Sequence, residues 1–341
     1  MIRPDLTLKL IGNTFMICWC GMKIIILNQI LSGQQNFNTM DDKHNYVFTT
    51  DYESLVFNIR TEFAKYVTEH KIKAVILGVS GGIDSALVAA LVKPVCVDNN
   101  VTLIGRSLPT ESNKDWEIVQ AKNVGEFFCT DFMESNISPL YHTVDEQMDE
   151  LLRHDIRWRA ASSDETLKQS KIRLGNIKAR LRMIYLYNLA KIHYGLVLST
   201  DNYTEFLLSF FTRFGDEGDY APIRQLWKTE VYGLAEYLAE TEYKGTSGET
   251  ALKQCISCMA TDGLGITSSD LDQILPDWDQ RHETTRSGYN EVDSILLEYV
   301  TTGGFNGTDE QQKVIDRHIG TSFKRNGTIE ISRKSLLYLK Y

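Results

Sequence analysis

Apolar residues recur along this chain with two alternating periods. Leu55, Ile59, Phe63 and Val67 are spaced by four, the stripe of an amphipathic helix over residues 51–70. A β-branched run at 73–79 then predicts a strand, and a glycine-rich turn and a helix-like run at 86–92 follow it. The same succession predicts a strand at 101–105, a helix at 114–127, a strand at 128–132 and a helix at 140–153. Residues 154–170 are polar and charged and read as a connection. A helix over 176–194, with Ile177, Leu181, Ile184 and Leu189 on its apolar face, stops at Gly195. A short buried strand at 196–200 and a helix at 228–240 complete the regular part. Residues 241–310 are polar, rich in Thr and Gly, and weakly periodic, with a helix start at 267–270 and a loop at Gly303-Gly304. Alternating strands and helices predict an α/β fold, a doubly wound parallel sheet with helices on both faces. Ligands in such folds bind at the carboxyl ends of the strands, so the loops after residues 79, 105 and 200 should meet there.

The apolar stretch at 8–32 breaks this pattern. Lys9, Asn13, Lys23 and Asn28 interrupt it before it reaches the roughly 18 apolar residues of a membrane span. No small-residue cleavage site of a secretory signal follows it. Met22 and Met40 precede the first clear helix, so residues 1–39 read as an appendage or an over-extended reading frame. The remaining boundaries are a main domain over 40–275 and a C-terminal segment over 276–341. The net charge of −9 argues against a general nucleic-acid binder. Six cysteines in 341 residues are too few for a disulfide framework and fit a reducing, cytoplasmic setting. Cys255-x-x-Cys258 has zinc-like spacing without a matching second pair, so both read as buried thiols.

The chemistry concentrates in a few strings. Ser80-Gly81-Gly82-Ile83-Asp84-Ser85 lies between the first strand and a helix start. Such a turn points backbone N–H groups at an anion, and the helix dipole reinforces them. Adjacent glycines let the main chain approach a phosphate closely. Asp84 is the odd member, because a carboxylate beside phosphates repels them unless a cation lies between; it implies Mg²⁺. The string is neither a Walker A loop nor a dinucleotide G-x-G-x-x-G. It resembles the pyrophosphate-binding loop of the N-type ATP pyrophosphatases, which cleave ATP between the α and β phosphates.

Further strings follow in order. Gly175-Asn176-Ile177-Lys178-Ala179-Arg180-Leu181-Arg182-Met183 puts three cations on one helix, which a solvated basic face would also explain. Ser199-Thr200-Asp201-Asn202-Tyr203-Thr204-Glu205 follows a buried strand; it suits either a helix N-cap or a second carboxylate, Glu205, for the metal of Asp84. Phe210 to Pro222 mixes aromatics, Arg213 and Gly-flanked acids, as a nucleotide-binding loop or a surface turn would. Lys228 opens a helix and suits neutralisation of phosphate charge.

Taken in order, S-G-G-x-D-S, G-N-x-K-A-R-x-R-M, S-T-D-N-x-x-E, F-x-R-x-G-D, A-P-I and L-x-K-T resemble the NAD synthetases over residues 50–275. The resemblance implies an adenine nucleotide alpha hydrolase-like fold and ATP contacts from Gly78, Val79, Ser80, Gly81, Gly82, Ile83, Asp84 and Ser85. It implies Asp84 and Glu205 as magnesium ligands, Thr200 and Lys228 on ATP, and Asp84 and Lys228 as catalytic residues. Thr250, followed by Ala251, resembles the Thr of the family's P-T-A string, with Glu in place of Pro. Arg180 is implied on deamido-NAD. So are Arg213, where the family has Lys, and Asp219, in a loop one residue shorter than the family's. Phe323-Lys324-Arg325-Asn326 resembles the basic segment that covers the substrate, which implies Lys324. A homodimer is implied as well.

The implied reaction adenylates the nicotinate carboxylate of deamido-NAD with ATP, releasing pyrophosphate; ammonia then displaces AMP to give NAD⁺. A fused glutaminase would need roughly 200 further residues and a catalytic Cys. The expectation is therefore ammonia dependence, with glutamine used only through a separate subunit. The rival readings are a GMP synthetase-like or tRNA-thiolating pyrophosphatase and a non-catalytic nucleotide-binding regulator.

Overall fold

The computed structural model describes residues 47–155, 166–261 and 263–333, together with strands β1 (Thr7–Ile11), β2 (Thr14–Trp19) and β3 (Met22–Ile25). The chain divides into two compact units, Met1–Tyr46 and Val47–Tyr341. In the first, β1, β2 and β3 form an antiparallel sheet in that order. The expected appendage at 1–39 otherwise lies outside the described residues.

The second unit opens with helix α1 (Tyr52–Glu69), capped by Asp51, whose side chain accepts from Ser54 N at 3.1 Å. Strand β4 (Ala74–Gly78), helix α2 (Ile83–Asp98), strand β5 (Thr102–Ser107), helix α3 (Asp115–Phe128) and strand β6 (Asp131–Glu134) follow. Helices α4 (Ser138–Leu152) and α5 (Leu167–Ile192) lead to strand β7 (Leu196–Leu198). Among the described residues the four strands pair in parallel, in the order β6-β5-β4-β7. Side chains alternate along β4. Ala74 and Ile76 join Ile104, Val197, Tyr141, Leu181 and Leu186 in the core shared with α4 and α5. Val75 and Leu77 point the other way, where α2 and α3 pack on β4 and β5. The sheet is thus covered on both faces. Its order reverses between β4 and β7, and the crevice opens there.

Helix α6 (Tyr203–Leu207) follows β7; helices α7 (Lys228–Glu240), α8 (Ser247–Ser257), α9 (Leu271–Ile274), α10 (Thr285–Thr302) and α11 (Asp309–Gly320) complete the unit, with short 3-10 turns at Trp278–Gln280 and Ser322–Lys324. The structure departs from the sequence-based elements in several places, and α8 and α11 form where periodicity predicts no helix. Helix α5 starts well before residue 176, because Thr166 and Gln169 form a capping box hidden in the polar stretch. Strand β6 starts after residue 128, because Phe128 is buried in the last turn of α3. Residues 285–302 form a well-packed helix rather than a weakly periodic segment. Its buried positions Thr285, Gly288, Tyr289, Val292, Asp293, Ile295 and Leu296 keep helical spacing, but several are not hydrophobic.

The turn after β4 depends on one glycine. Gly81 has φ 84°, and a Cβ there would lie 2.2 Å from Glu117 O and 3.1 Å from Ala121 N, both backbone atoms of α3. Neither can yield without moving the helix. Gly81→Ala should therefore cost roughly 2 kcal/mol or more. Urea unfolding of the variant measures this, and an unchanged midpoint would contradict it.

Candidate active site

A cavity of about 260 Å³ opens at the carboxyl ends of β4, β5 and β7. Gly78, Val79, Ser80, Gly82, Ile83 and Asp84 form one wall. Gly82 is the N-cap of α2 and makes no side-chain capping bond, so the first N–H groups of that helix remain available to an anion. Gly81 and Ser85 are absent from the wall. Gly81 backs onto α3, and the buried Ser85 hydroxyl braces the turn from inside. It accepts from Ser80 N at 3.2 Å and donates to Gly82 O at 3.1 Å. Both residues shape the loop.

At the start of α2, three charged side chains meet. Lys228 Nζ lies 2.5 Å from Asp84 Oδ2 and 3.0 Å from Glu205 Oε1, and only 2% of Lys228 is exposed. Burial works against its ammonium, but the two carboxylates outweigh burial and hold its pKa well above the ordinary lysine value. Burial pushes the Glu205 carboxyl up, against the pull of Lys228. Asn202 ties the carboxylates together: its amide donates to Asp84 Oδ1 at 2.8 Å and its oxygen caps α6 by accepting from Glu205 N at 3.0 Å. The N-cap of this string is Asn202 rather than Thr200 or Asp201, and the same residue sets Glu205 beside Asp84. Thr200 lines the cavity beside Glu205.

Several residues named from the resemblance sit elsewhere. Arg180 is exposed on α5 and off the cavity wall, whereas Arg182, one helical step on, lines it. Arg182 is held by Leu108 O at 3.0 Å and Asn113 Oδ1 at 3.2 Å. Lys178 is buried and paired with Glu111 at 3.1 Å, so the basic string is not one solvated face. Asp219 is a strap on β7, accepting from Val197 N at 2.8 Å and Tyr187 Oη at 3.2 Å. The acid of that loop on the wall is Asp216, which accepts from Thr212 N at 2.5 Å and whose pKa burial raises. Arg213 is half-buried off the wall, with Nη2 buried and unbonded.

Thr250, expected on ATP, is exposed on α8 and does not line the cavity. Besides Thr200, the threonine on the wall is Thr261, hydrogen-bonded to the buried Glu117. The sequence pairs Thr with Ala at both places, and only packing separates them. Lys324 does not line the cavity; its ammonium is held by the carbonyls of Ser209, at 2.8 Å, and Phe211. Cys255 and Cys258 do line it, as thiols that burial pushes upward, Cys258 to about 11. Cys255 donates to Gly81 O at 3.3 Å.

Beside this site Asp201 is buried, and burial raises its pKa to about 7 despite Arg224 at 2.8 Å. Asp293 is raised in the same way, to about 6. The folded chain keeps these protons up to those values, whereas the unfolded chain releases them near the ordinary carboxylate range. Unfolding therefore releases protons in that window, and stability falls as pH rises through it, by a few kcal/mol for Asp201. Urea unfolding between about pH 4 and about pH 8 should show this slope, and Asp201→Asn should flatten it. A wild-type slope of opposite sign would contradict the burial argument.

The sequence profile of the family described as NAD synthase matches residues 55–302. The protein named NH(3)-dependent NAD(+) synthetase from Thermoplasma volcanium is 27% identical over 278 residues, covering 81% of this chain and 96% of that protein. The protein of the same name from Pyrococcus furiosus is 34% identical over 222 residues, covering 63% and 76%. Among solved structures, an NMN synthetase from Francisella tularensis superposes with a TM-score of 0.61 at 22% identity, covering 84% of this chain and all of that one. An NH3-dependent NAD synthetase from Campylobacter jejuni gives 0.56 at 23%, covering 83% of this chain and all of that one. At these identities the structures bear on the fold alone. The profile match spans most of the chain, crosses the loop, both carboxylates and Lys228, and shows that the chain belongs to the NAD synthase family.

Proposed function

We propose that this chain makes NAD⁺ by amidating deamido-NAD with ammonia at the expense of ATP. The observation that carries the reading is the Asp84–Lys228–Glu205 cluster facing the uncapped N-terminus of α2 at the switch point of the sheet. A carboxylate is a poor acyl donor because its leaving group would be oxide. Transfer of the AMP moiety to it, with loss of pyrophosphate, supplies a good leaving group. Two anions must approach for this to happen. The loop N–H groups and Lys228 neutralise and orient the phosphates, and bound Mg²⁺ would add charge stabilisation there.

Asp84 and Glu205 fit such an ion. They are hard oxygen donors on one wall, and among the described residues no third acidic, His or Cys group clusters with them. Mg²⁺ is commonly held by one or two carboxylates, with phosphate oxygens and water completing its shell. Arg182 and Asp216 lie across the cavity and suit the substrate side. No step needs a protein nucleophile, which fits two thiols, the buried Cys255 and the half-buried Cys258, whose pKa values are raised by burial. No helix among the described residues is long and apolar enough to cross a membrane.

The reading includes a homodimer. On α5 the exposed Arg180 shares a stripe with Ile184, 64% exposed, and Tyr187, 40% exposed, at helical spacing. An apolar stripe carrying a cation, turned away from its own cavity, suits a face that meets a second copy. Arg180 would then serve deamido-NAD at the interface, together with Arg213 and Lys324.

The purified chain should release equal amounts of pyrophosphate, AMP and NAD⁺ from ATP, deamido-NAD and ammonium, and far less with glutamine. Lys228→Met should lower kcat by about 10²- to 10³-fold. Ile184→Glu should convert dimers to monomers in sedimentation and raise KM for deamido-NAD. Pyrophosphate release only with another acceptor would refute the synthetase reading, and efficient use of glutamine would refute its ammonia dependence.

A further inference from the structure

Helix α7 starts at Lys228, after the N-cap residue Trp227. Its own Glu230 accepts from Trp227 N at 2.9 Å. The next two N–H groups are met from elsewhere in the chain. Lys228 N donates to Thr204 Oγ1 at 2.9 Å, and that hydroxyl donates to Asp293 Oδ1 at 2.5 Å. Asp293 Oδ2 accepts from Thr229 N and from Thr229 Oγ1, both at 2.7 Å. Asp293 lies on α10 and is fully buried. One turn earlier on the same face, the ring of Tyr289 lies 5.2 Å from Lys228 Nζ.

Lys228 is thus held from three directions. Its main chain hangs on Thr204, the residue before Glu205. The next residue hangs on Asp293, and its ammonium bridges the site carboxylates. The Thr204 hydroxyl has no freedom of direction, since its oxygen is used by Lys228 N and its proton by Asp293. A buried carboxylate at a helix N-terminus is also favoured by the helix dipole.

We infer that Asp293 is a positioning residue: through Thr204 and Thr229 it fixes the Lys228 ammonium and the Glu205 carboxylate at their working separation. Asp293 does not line the cavity, and its effect passes through the two threonines. Asparagine at 293 would keep the shape and lose one acceptor, setting an N–H₂ against a donor that cannot turn away. The inference rests on the synthetase reading for its kinetic consequence, but not for its structural one.

The test uses the full chain with Asp293→Asn, Thr204→Val and Thr204→Ser. Two quantities are measured: steady-state kinetics with ATP, deamido-NAD and ammonium, and calorimetric binding of α,β-methylene-ATP with Mg²⁺. Asp293→Asn and Thr204→Val should each lower kcat by about 10- to 100-fold and weaken analogue binding severalfold, with KM for deamido-NAD little changed. Their double variant should be scarcely worse than either single, because both cut one chain of bonds. Thr204→Ser, which keeps the hydroxyl, should stay near wild type. Should Asp293→Asn fail to fold, Thr204→Val against Thr204→Ser decides the question with the buried carboxylate in place. Wild-type kcat and analogue affinity in Asp293→Asn, or losses that multiply in the double variant, would overturn the inference. A wild-type chain that binds the analogue but makes no NAD⁺ contradicts the synthetase reading instead, and the binding arm still decides the role of Asp293.

Discussion

The site depends on one buried ammonium. Lys228 stands between Asp84 and Glu205 with almost no solvent contact, and removing it would leave two carboxylates facing each other uncompensated. Burying such a cluster costs several kcal/mol per ion before attraction offsets it, so it adds little to stability. Its effect is to fix geometry. Asp84 comes from the loop after β4, Glu205 from α6 and Lys228 from the start of α7, and the three helices α2, α6 and α7 must agree for the charges to meet. Asn202 and Asp293 enforce that agreement from two sides.

Two helix N-termini are treated in opposite ways here. That of α2 begins at Gly82 without a side-chain cap, beside the cavity. That of α7 is capped by Thr204 and Asp293, and its first side chain is the lysine. The first arrangement leaves N–H groups and dipole for an incoming anion, and the second spends them on holding a cation in place. Gly81 makes the first possible, because a Cβ at that position would strike the backbone of α3.

Much of this was legible in the sequence, and the exceptions share a cause. The β4 turn, Glu205 and Lys228 were readable because short-range chemistry demands particular residue types: glycines beside an anion, a carboxylate at a strand end, a cation at a helix start. Direction around a helix was harder to read. Arg180 and Arg182 look equivalent in the basic string, and only packing turns Arg182 to the cavity. Asp216 and Asp219 are separated by the fold of one loop, which lets Asp219 reach the Val197 amide. Thr250 and Thr261 differ in the same way. Helix α10 escaped periodicity because Thr285, Gly288 and Asp293 occupy core positions that hydrophobic patterning reserves for aliphatic side chains. Asp293 is buried for its hydrogen bonds, and no local signal in the sequence announces partners on α6 and α7.

In the proposed reaction the carboxylate of deamido-NAD attacks the α-phosphorus of ATP in the crevice between the β4 loop and Lys228. Deamido-NAD labelled with ¹⁸O in its nicotinate carboxylate, turned over with ATP and ammonium, tests this directly by mass spectrometry of the products. One labelled oxygen should appear in AMP and none in pyrophosphate, because the attacking oxygen stays on phosphorus when ammonia displaces AMP. Label in pyrophosphate or in inorganic phosphate, or AMP free of label, would contradict it.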